Sequence, residues 1–324
     1  MTRRDPLTTS ALSRSTDSDE SLLAMRCVDA SAGRSMIGTA DRVDLWLFIE
    51  VTGRWSAQVP DALAAQAPLD SACKRLTEAA AGQGLKLRSQ LIKQTGRRGE
   101  RRVLVALGNL AFSLSGGTAA LIAVDAGTLV DNLLAARSRP AENLDGFERL
   151  SEPQYFVCTH GQRDRCCGAL GLPIYRALNE RLPGRVWQTS HVGGHRFAPN
   201  VLTLPRAVLY GRLELQSLDA FIDAVETDQI AFPWLRGRSV YPPVVQAAEA
   251  LLARQELRLL HVDGDDQAAR VTFADHRHRY RIDVQRSGVP ERILASCGAP
   301  QLKDYAPFAA LSKPLVSSAS TGTT

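Results

Sequence analysis

Short apolar runs alternate with amphipathic stretches along most of this chain, in an order that predicts an α/β protein. Asp44–Val51 is apolar almost throughout, as a strand buried on both faces requires. Pro60-Asp61 then opens a helical pattern that continues to about Ala81, with proline where a first helical turn tolerates it. Leu85–Lys93 and Arg102–Leu107 predict strands on either side of the basic loop Gly96–Glu100. Ala119–Val124 supplies a third apolar run, read as a strand, before a helix over about Thr128–Ala136. Pro140, polar residues and Gly146 then predict a linker.

The order repeats. Gln154–Cys158 predicts a strand, Leu172–Leu182 a helix and Arg185–Thr189 a strand. Val201–Leu204 and Ala207–Gly211 predict a strand pair around Pro205-Arg206, and Leu218–Thr227 a helix. Each half reads β-α-β-β-β-α, the coarse order of a thioredoxin-like unit, with no residue-level identity between the halves. A third segment begins after Gly237, with a helix over Pro242–Arg254 and a hairpin over His261–Val284 that turns near Asp275–Arg277.

The expected organisation is a disordered tail over 1–38, an N-terminal α/β domain over 39–145 and a thioredoxin-like domain over 150–236. A small α+β segment over 237–312 and a second tail over 313–324 complete it. The first thirty-five residues, rich in Ser, Thr, Arg and Asp, have no apolar periodicity.

Composition narrows the partners. The 324 residues are 44% hydrophobic and 23% charged, the balance of an ordinary globular protein. No apolar run reaches the roughly eighteen residues of a membrane span, so no membrane partner is expected. The net charge of +5 comes from scattered arginines. Arg97-Arg98 and Arg101-Arg102 lack interleaved aromatics, so nucleic acid is not an expected partner either. There is no apolar signal segment, and Asp5, Asp17, Asp19 and Glu20 argue against a transit peptide. The expectation is a cytoplasmic protein whose cysteines stay reduced, where clustered thiols serve metals or redox chemistry more often than disulfides.

The chemistry concentrates in two strings, Cys158-Thr159-His160-Gly161-Gln162-Arg163-Asp164-Arg165-Cys166-Cys167-Gly168 and Ser190-His191-Val192-Gly193-Gly194-His195-Arg196-Phe197-Ala198-Pro199-Asn200. They hold three of the six cysteines and three of the six histidines. Thiolates and imidazoles at short spacing are what a transition metal asks of a protein. Gly193-Gly194 makes a helix through His191 and His195 improbable and lets the backbone curl around a bound object. Cys166 and Cys167 precede a helix, in an extended segment whose successive side chains face opposite sides; periodicity does not say which faces the site. A redox C-x-x-C is absent, a phosphatase loop would need arginine where Asp164 stands, and the cysteine spacing is too wide for a zinc knuckle. A Rieske centre would need a C-x-x-H to go with Cys158-Thr159-His160, and none exists.

Together the two strings resemble those of the sucrase/ferredoxin-like family, over roughly Ala40 to Gly298 and most closely from Val157 to Gly211. The resemblance implies a thioredoxin-like ferredoxin domain binding a [2Fe–2S] cluster through Cys158, Cys167, His191 and His195. It also implies one-electron transfer or redox sensing, by an electron carrier rather than an enzyme with its own substrate, and a redox partner protein of unknown identity. The family's nine-residue step between ligating cysteines favours Cys167 over Cys166. Imidazole in place of thiolate removes negative charge and should raise the potential towards the Rieske range. Arg163, Asp164, Arg196 and Asn200 are candidate hydrogen-bonding neighbours of the ligands, as is His160, and Trp187 and Phe197 candidate apolar cover. Cys27, Cys73 and Cys297 are expected to be unligated, Cys297 being the one able to approach the site. Two alternatives stay open: a structural zinc site in an interaction protein, and a thiol oxidoreductase using Cys158 with Cys166 or Cys167. No substrate pocket is legible.

Overall fold

The computed structural model describes residues 19–138 and 143–318. It is a mixed α/β fold whose largest sheet has eleven strands among the described residues. Its N-terminal part corrects one expectation. Residues 19–24 are helical, and α1 (Cys27–Ala30) buries Cys27 and Ala30. The expected tail over 1–38 therefore fails from residue 19, because a few apolar positions (Leu22, Leu23, Cys27, Val28) suffice for a short docked segment. Residues 1–18 lie outside the described residues.

Strand β1 (Leu45–Glu50) is buried along its whole length, as its apolar run requires. The Pro-led helical pattern divides into α2 (Val59–Ala64) and α3 (Ala67–Gly82). Parallel to β1 runs β2 (Leu87–Lys93), and antiparallel to it runs β3 (Val103–Leu107). Next comes β4 (Leu110–Leu114), unforeseen in the sequence and turned back on β3 through Gly108-Asn109, with Gly108 at a φ of +67°. The run at 119–124, expected as a strand, is instead part of helix α4 (Gly117–Ala123), followed by α5 (Ala126–Ser138). Its alanines and leucine favour helix when entered through the left-handed pair Gly116-Gly117. Of the expected linker, Pro140 and its neighbours at 139–142 lie outside the described residues, and the part from 143 on belongs to a small hairpin of β5 (Asn143–Leu144) and β6 (Phe147–Arg149).

The second half begins with β7 (Gln154–Cys158), α6 (Arg165–Arg181) and β8 (Val186–Thr189), and β8 is parallel to β7. Antiparallel β9 (Val201–Leu204) and β10 (Val208–Tyr210) follow, then α7 (Leu218–Glu226) and β11 (Leu235–Arg238). The order β2-β1-β3-β4 of the first half thus recurs as β8-β7-β9-β10 in the second. The two halves join through an antiparallel pairing of β2 with β8, Ile92 opposite Thr189 and Lys93 opposite Gln188.

Helices α2–α5 cover Leu45, Leu47 and Ile49 of β1, while α6 and α7 cover Tyr155 and Val157 of β7. The other face is shared. Trp46, Phe48, Phe156, Trp187 and Leu202 form one core that also contains Cys158 and Cys167. Phe48 and Phe156 stack at 4.0 Å although two strands lie between theirs, so the sheet curls around this core.

After α8 (Pro243–Leu252), the expected hairpin is a meander of β12 (Arg258–Gly264), β13 (Ala268–Ala274) and β14 (His278–Arg286). A short pair, β15 (Glu291–Ile293) with β16 (Lys303–Tyr305), follows. Both β17 (Phe308–Ala310) and β18 (Leu315–Ser318) pair with β14. The expected tail over 313–324 is thus ordered at its start, where Leu315 and Val316 give a strand and β14 offers a free edge. Residues 319–324 lie outside the described residues. No single described helix is long and apolar enough to cross a membrane. One bent pair passes by length and composition alone, Gly117–Ala123 with Ala126–Arg137, and it packs Leu121, Leu129, Val130 and Leu133 into the core.

Candidate metal centre

Cys158 is the last residue of β7 and is fully buried. Asp164 caps α6, its carboxylate accepting a 2.8 Å hydrogen bond from the Cys166 amide. The helix therefore starts at Arg165, earlier than the apolar pattern showed, and Cys166 and Cys167 lie in its first turn rather than in an extended segment. Successive helical residues are about 100° apart around the axis, and the two thiols diverge. Cys167 enters the shared core beside Cys158, and Cys166 enters a separate cluster with Cys27, Ala198, Leu294 and Leu302. Two glycines allow the helix this close to the strand end. A Cβ on Gly168 would sit 2.7 Å from the Gly161 Cα, and one on Gly171 would collide with the Cys158 carbonyl oxygen.

His191 follows β8. Its Nδ1 lies 3.7 Å from the Cys167 Sγ and 4.0 Å from the Cys158 Sγ, and one donor atom from each of the three falls within 4.8 Å of the others. The His195 ring stacks on His191 at 4.7 Å. Its Nδ1 is buried with no hydrogen-bond partner, 3.8 Å from the Asp164 carboxylate. Of the four residues the resemblance nominates, three converge and the fourth stands one ring away.

The loop between the histidines is held from outside. Gly193 and Gly194 have φ of +87° and +67°, which side chains resist. Buried Arg236 donates to the Gly193 carbonyl and to the Asn200 Oδ1, both at 2.9 Å, and Asn200 returns a 3.0 Å bond to the Gly194 carbonyl. Burial lowers the Arg236 pKa to about 10. The His191 amide donates to the His160 Nδ1 at 3.2 Å, so the His160 Nε2 carries the proton and donates to the Ser56 carbonyl at 2.8 Å. Asn200 and His160 thus hold the ligand loop in place. Arg196 instead stacks on Phe197 at 4.4 Å and Tyr305 at 4.9 Å. Arg236 carries no sequence signal: it lies far beyond both strings, and only the curl of the sheet brings it under them.

Charge at the site favours ligation. A hydrogen bond from Cys167 holds the Cys158 thiol well below its usual range, against burial and with help from His191. Cys167, keeping its proton for Cys158, is pushed up correspondingly. Burial, reinforced by His191, lowers His195 to about 4, so at neutral pH its ring is uncharged and can offer a lone pair. Burial opposes ionisation of Asp164, but the Cys297 and Cys166 amides outweigh it and hold the pKa low.

Two thiols and two imidazoles make a donor set suited to zinc or to an iron–sulfur centre. A cleft of about 590 Å³, invisible in the sequence, reaches this site; His160, Arg163 and His191 line one side and Leu63, Lys74 and Thr77 another. Cys73 borders it too and is pushed up to about 11 by burial. Trp187 and Phe197 are buried. Cys297 does not approach Cys158 but meets Cys166, Sγ to Sγ at 3.2 Å.

Comparison with known proteins gives one family. The sucrase/ferredoxin-like description matches residues 36–237, more than half of the chain. A protein of Meyerozyma guilliermondii called altered inheritance of mitochondria protein 32 is 31% identical over 84 residues, 23% of this chain and 30% of its own length. The protein of that name from Candida glabrata is 38% identical over 68 residues, 19% of this chain and 22% of its own. The aligned stretch is therefore under a third of either relative. No solved structure matches.

Proposed function

Because the chain belongs to the sucrase/ferredoxin-like family, we propose that it carries electrons on a [2Fe–2S] cluster held by Cys158, Cys167, His191 and His195. The observation that carries this reading is the convergence of the Cys158, Cys167 and His191 donors within 4.8 Å, beside a His195 nitrogen that is buried and unpartnered. A buried polar atom without a partner is costly and calls for one. The recurring strand order supports a thioredoxin-like second half. When bound, the cluster supplies a one-electron couple, at a potential raised because imidazole contributes less negative charge than thiolate.

The chain's own residues do the rest. Cys158 and Cys167 approach each other because α6 lies against the end of β7. Arg236 and Asn200 hold the glycine turn that aims both histidines inward, and His160 fixes the backbone at His191. Phe156, Trp187 and Leu202 exclude water from the thiol side, while His191 reaches the cleft and gives a partner a short path to the centre. The proposed partner is a redox protein docking over that cleft, and the proposed location is the reducing cytoplasm.

Visible absorption of the anaerobically purified chain tests the reading. The protein should be red-brown, bleach on reduction and recover on reoxidation. Cys167→Ser and His191→Ala should lose the colour, and Cys166→Ser should keep it. A colourless chain holding zinc through the same four residues would establish the structural-zinc reading instead. Thiol chemistry that survives His191→Ala would favour the oxidoreductase.

A further inference from the structure

A second group of donor atoms lies on the other side of Asp164. Cys27 of α1, Cys166 of α6 and Cys297 of the loop between β15 and β16 come from three distant parts of the chain. The Cys297 Sγ is 3.2 Å from that of Cys166 and 3.5 Å from that of Cys27. The Cys27 Sγ is 3.9 Å from both Asp164 carboxylate oxygens, and one donor atom from each of the four residues falls within 4.8 Å of the others. Cys27, Cys166 and Asp164 are buried, and Cys297 is half-buried.

We propose that Cys27, Cys166, Cys297 and Asp164 form a second metal site, separate from the Cys158–Cys167–His191 centre, that takes one thiophilic divalent cation of the zinc class. Zinc–sulfur bonds of about 2.3 Å in a tetrahedron put the sulfurs about 3.8 Å apart, so the observed separations need only a small outward shift. The carboxylate is already oriented, accepting from the Cys166 amide at 2.8 Å, the Cys297 amide at 2.9 Å and the Ser296 hydroxyl at 3.3 Å. Its oxygens have about four lone-pair sites, which leaves room for a metal bond.

Charge favours it too. Burial raises the Cys297 thiol, but the Cys27 amide and the Arg165 side chain outweigh burial and lower it. Arg165 is drawn chiefly to Cys297 and offsets its negative charge, whereas Arg26 is engaged first by Asp29. A disulfide between Cys166 and Cys297 would explain two of the thiols but would leave Cys27, 3.5 Å from Cys297, outside the bond, whereas a cation engages all four groups. The site would fasten the N-terminal and C-terminal segments to the helix that positions Cys167, where the surrounding apolar cluster is small.

Metal analysis of the full-length chain, incubated anaerobically with zinc and then desalted, tests the site. Cys297→Ser, a mild change at the least buried of the four, should lower bound zinc by about one per chain, the content of one tetrahedral site; Cys27→Ser should do the same, and His191→Ala should leave that zinc in place. Zinc content unchanged by Cys297→Ser, or a wild-type chain that binds no zinc, would overturn the proposal. So would a freshly acid-quenched chain lighter by two hydrogens through a Cys166–Cys297 disulfide. Iron content reads the first centre separately, so failure of the cluster assignment leaves the zinc result intact.

Discussion

Cys166 and Cys167 are adjacent in sequence, yet Asp164 sends them into different clusters by starting α6 one residue before the pair. The two strings made the chemistry legible, because thiols and imidazoles at defined spacing are scarce and local. The cap was less so: the apolar pattern of α6 shows itself only from Leu172, after the cysteines have already turned. Arg236 was not legible at all, since its role comes from packing rather than spacing. It makes four hydrogen bonds, two of them to Thr39. Arg236→Met should therefore destabilise the metal-free protein by about 2–3 kcal/mol, by leaving the Gly193 carbonyl and the Asn200 Oδ1 buried without the partner they have now, as denaturant unfolding would read. A measured cost near zero would mean that the glycine turn holds itself. The proposed histidine ligation adds a second expectation at this site. An imidazole ligand keeps one ring nitrogen free to titrate, so the potential should fall with rising pH where that nitrogen deprotonates, with a limiting slope of about 59 mV per unit for one proton and one electron. His191→Cys should lower the potential and flatten the slope.

The β-α-β-β-β-α order was legible in both halves because buried strands read as unbroken apolar runs and the helices as amphipathic ones. One strand of the first half was misplaced. Ala119–Val124 and Leu110–Leu114 are both short apolar runs, and periodicity alone does not separate strand from helix at that length. The hairpin turn through Gly108-Asn109 settles it in favour of β4. The turn at 275–277 was visible from its polar residues, and the structure shows how it works. The Asp275 carboxylate accepts from the Arg277 and His278 amides and from the Tyr280 hydroxyl, each at 2.7 Å. The Tyr280 hydroxyl and then the Arg277 amide hold the Asp275 pKa below its ordinary value. A depressed carboxylate contributes stability that is present above the unfolded pKa of about 3.9 and is lost as pH falls through the folded one. Asp275→Asn should therefore destabilise the meander at neutral pH by about 1 kcal/mol, and the difference from wild type should shrink as pH falls below about 3.9. A pH-independent difference would assign the loss to turn geometry rather than to charge.

The two halves of the large sheet share a strand order but not a chemistry. Where β7 ends on Cys158, β1 ends on Glu50, whose carboxylate is bound by Arg97 and by the Arg102 amide at 2.8 and 2.9 Å. The first half still contributes to the site, since α2, α3 and β2 wall the cleft that His191 reaches. The pairing of β2 with β8 therefore fixes one wall of that cleft as well as the sheet. The sequence could not reveal that joint, because the mixed polar and apolar residues of β2 and β8 carry no spacing that marks which edges meet. The account rests on the cluster that the second half is proposed to hold. Its most direct test is the iron and acid-labile sulfide content of the full-length chain, purified or reconstituted without oxygen. The account predicts about two of each per chain, the content of one [2Fe–2S] cluster, with both lost in Cys158→Ser. A chain that binds neither iron nor sulfide after anaerobic reconstitution would contradict it.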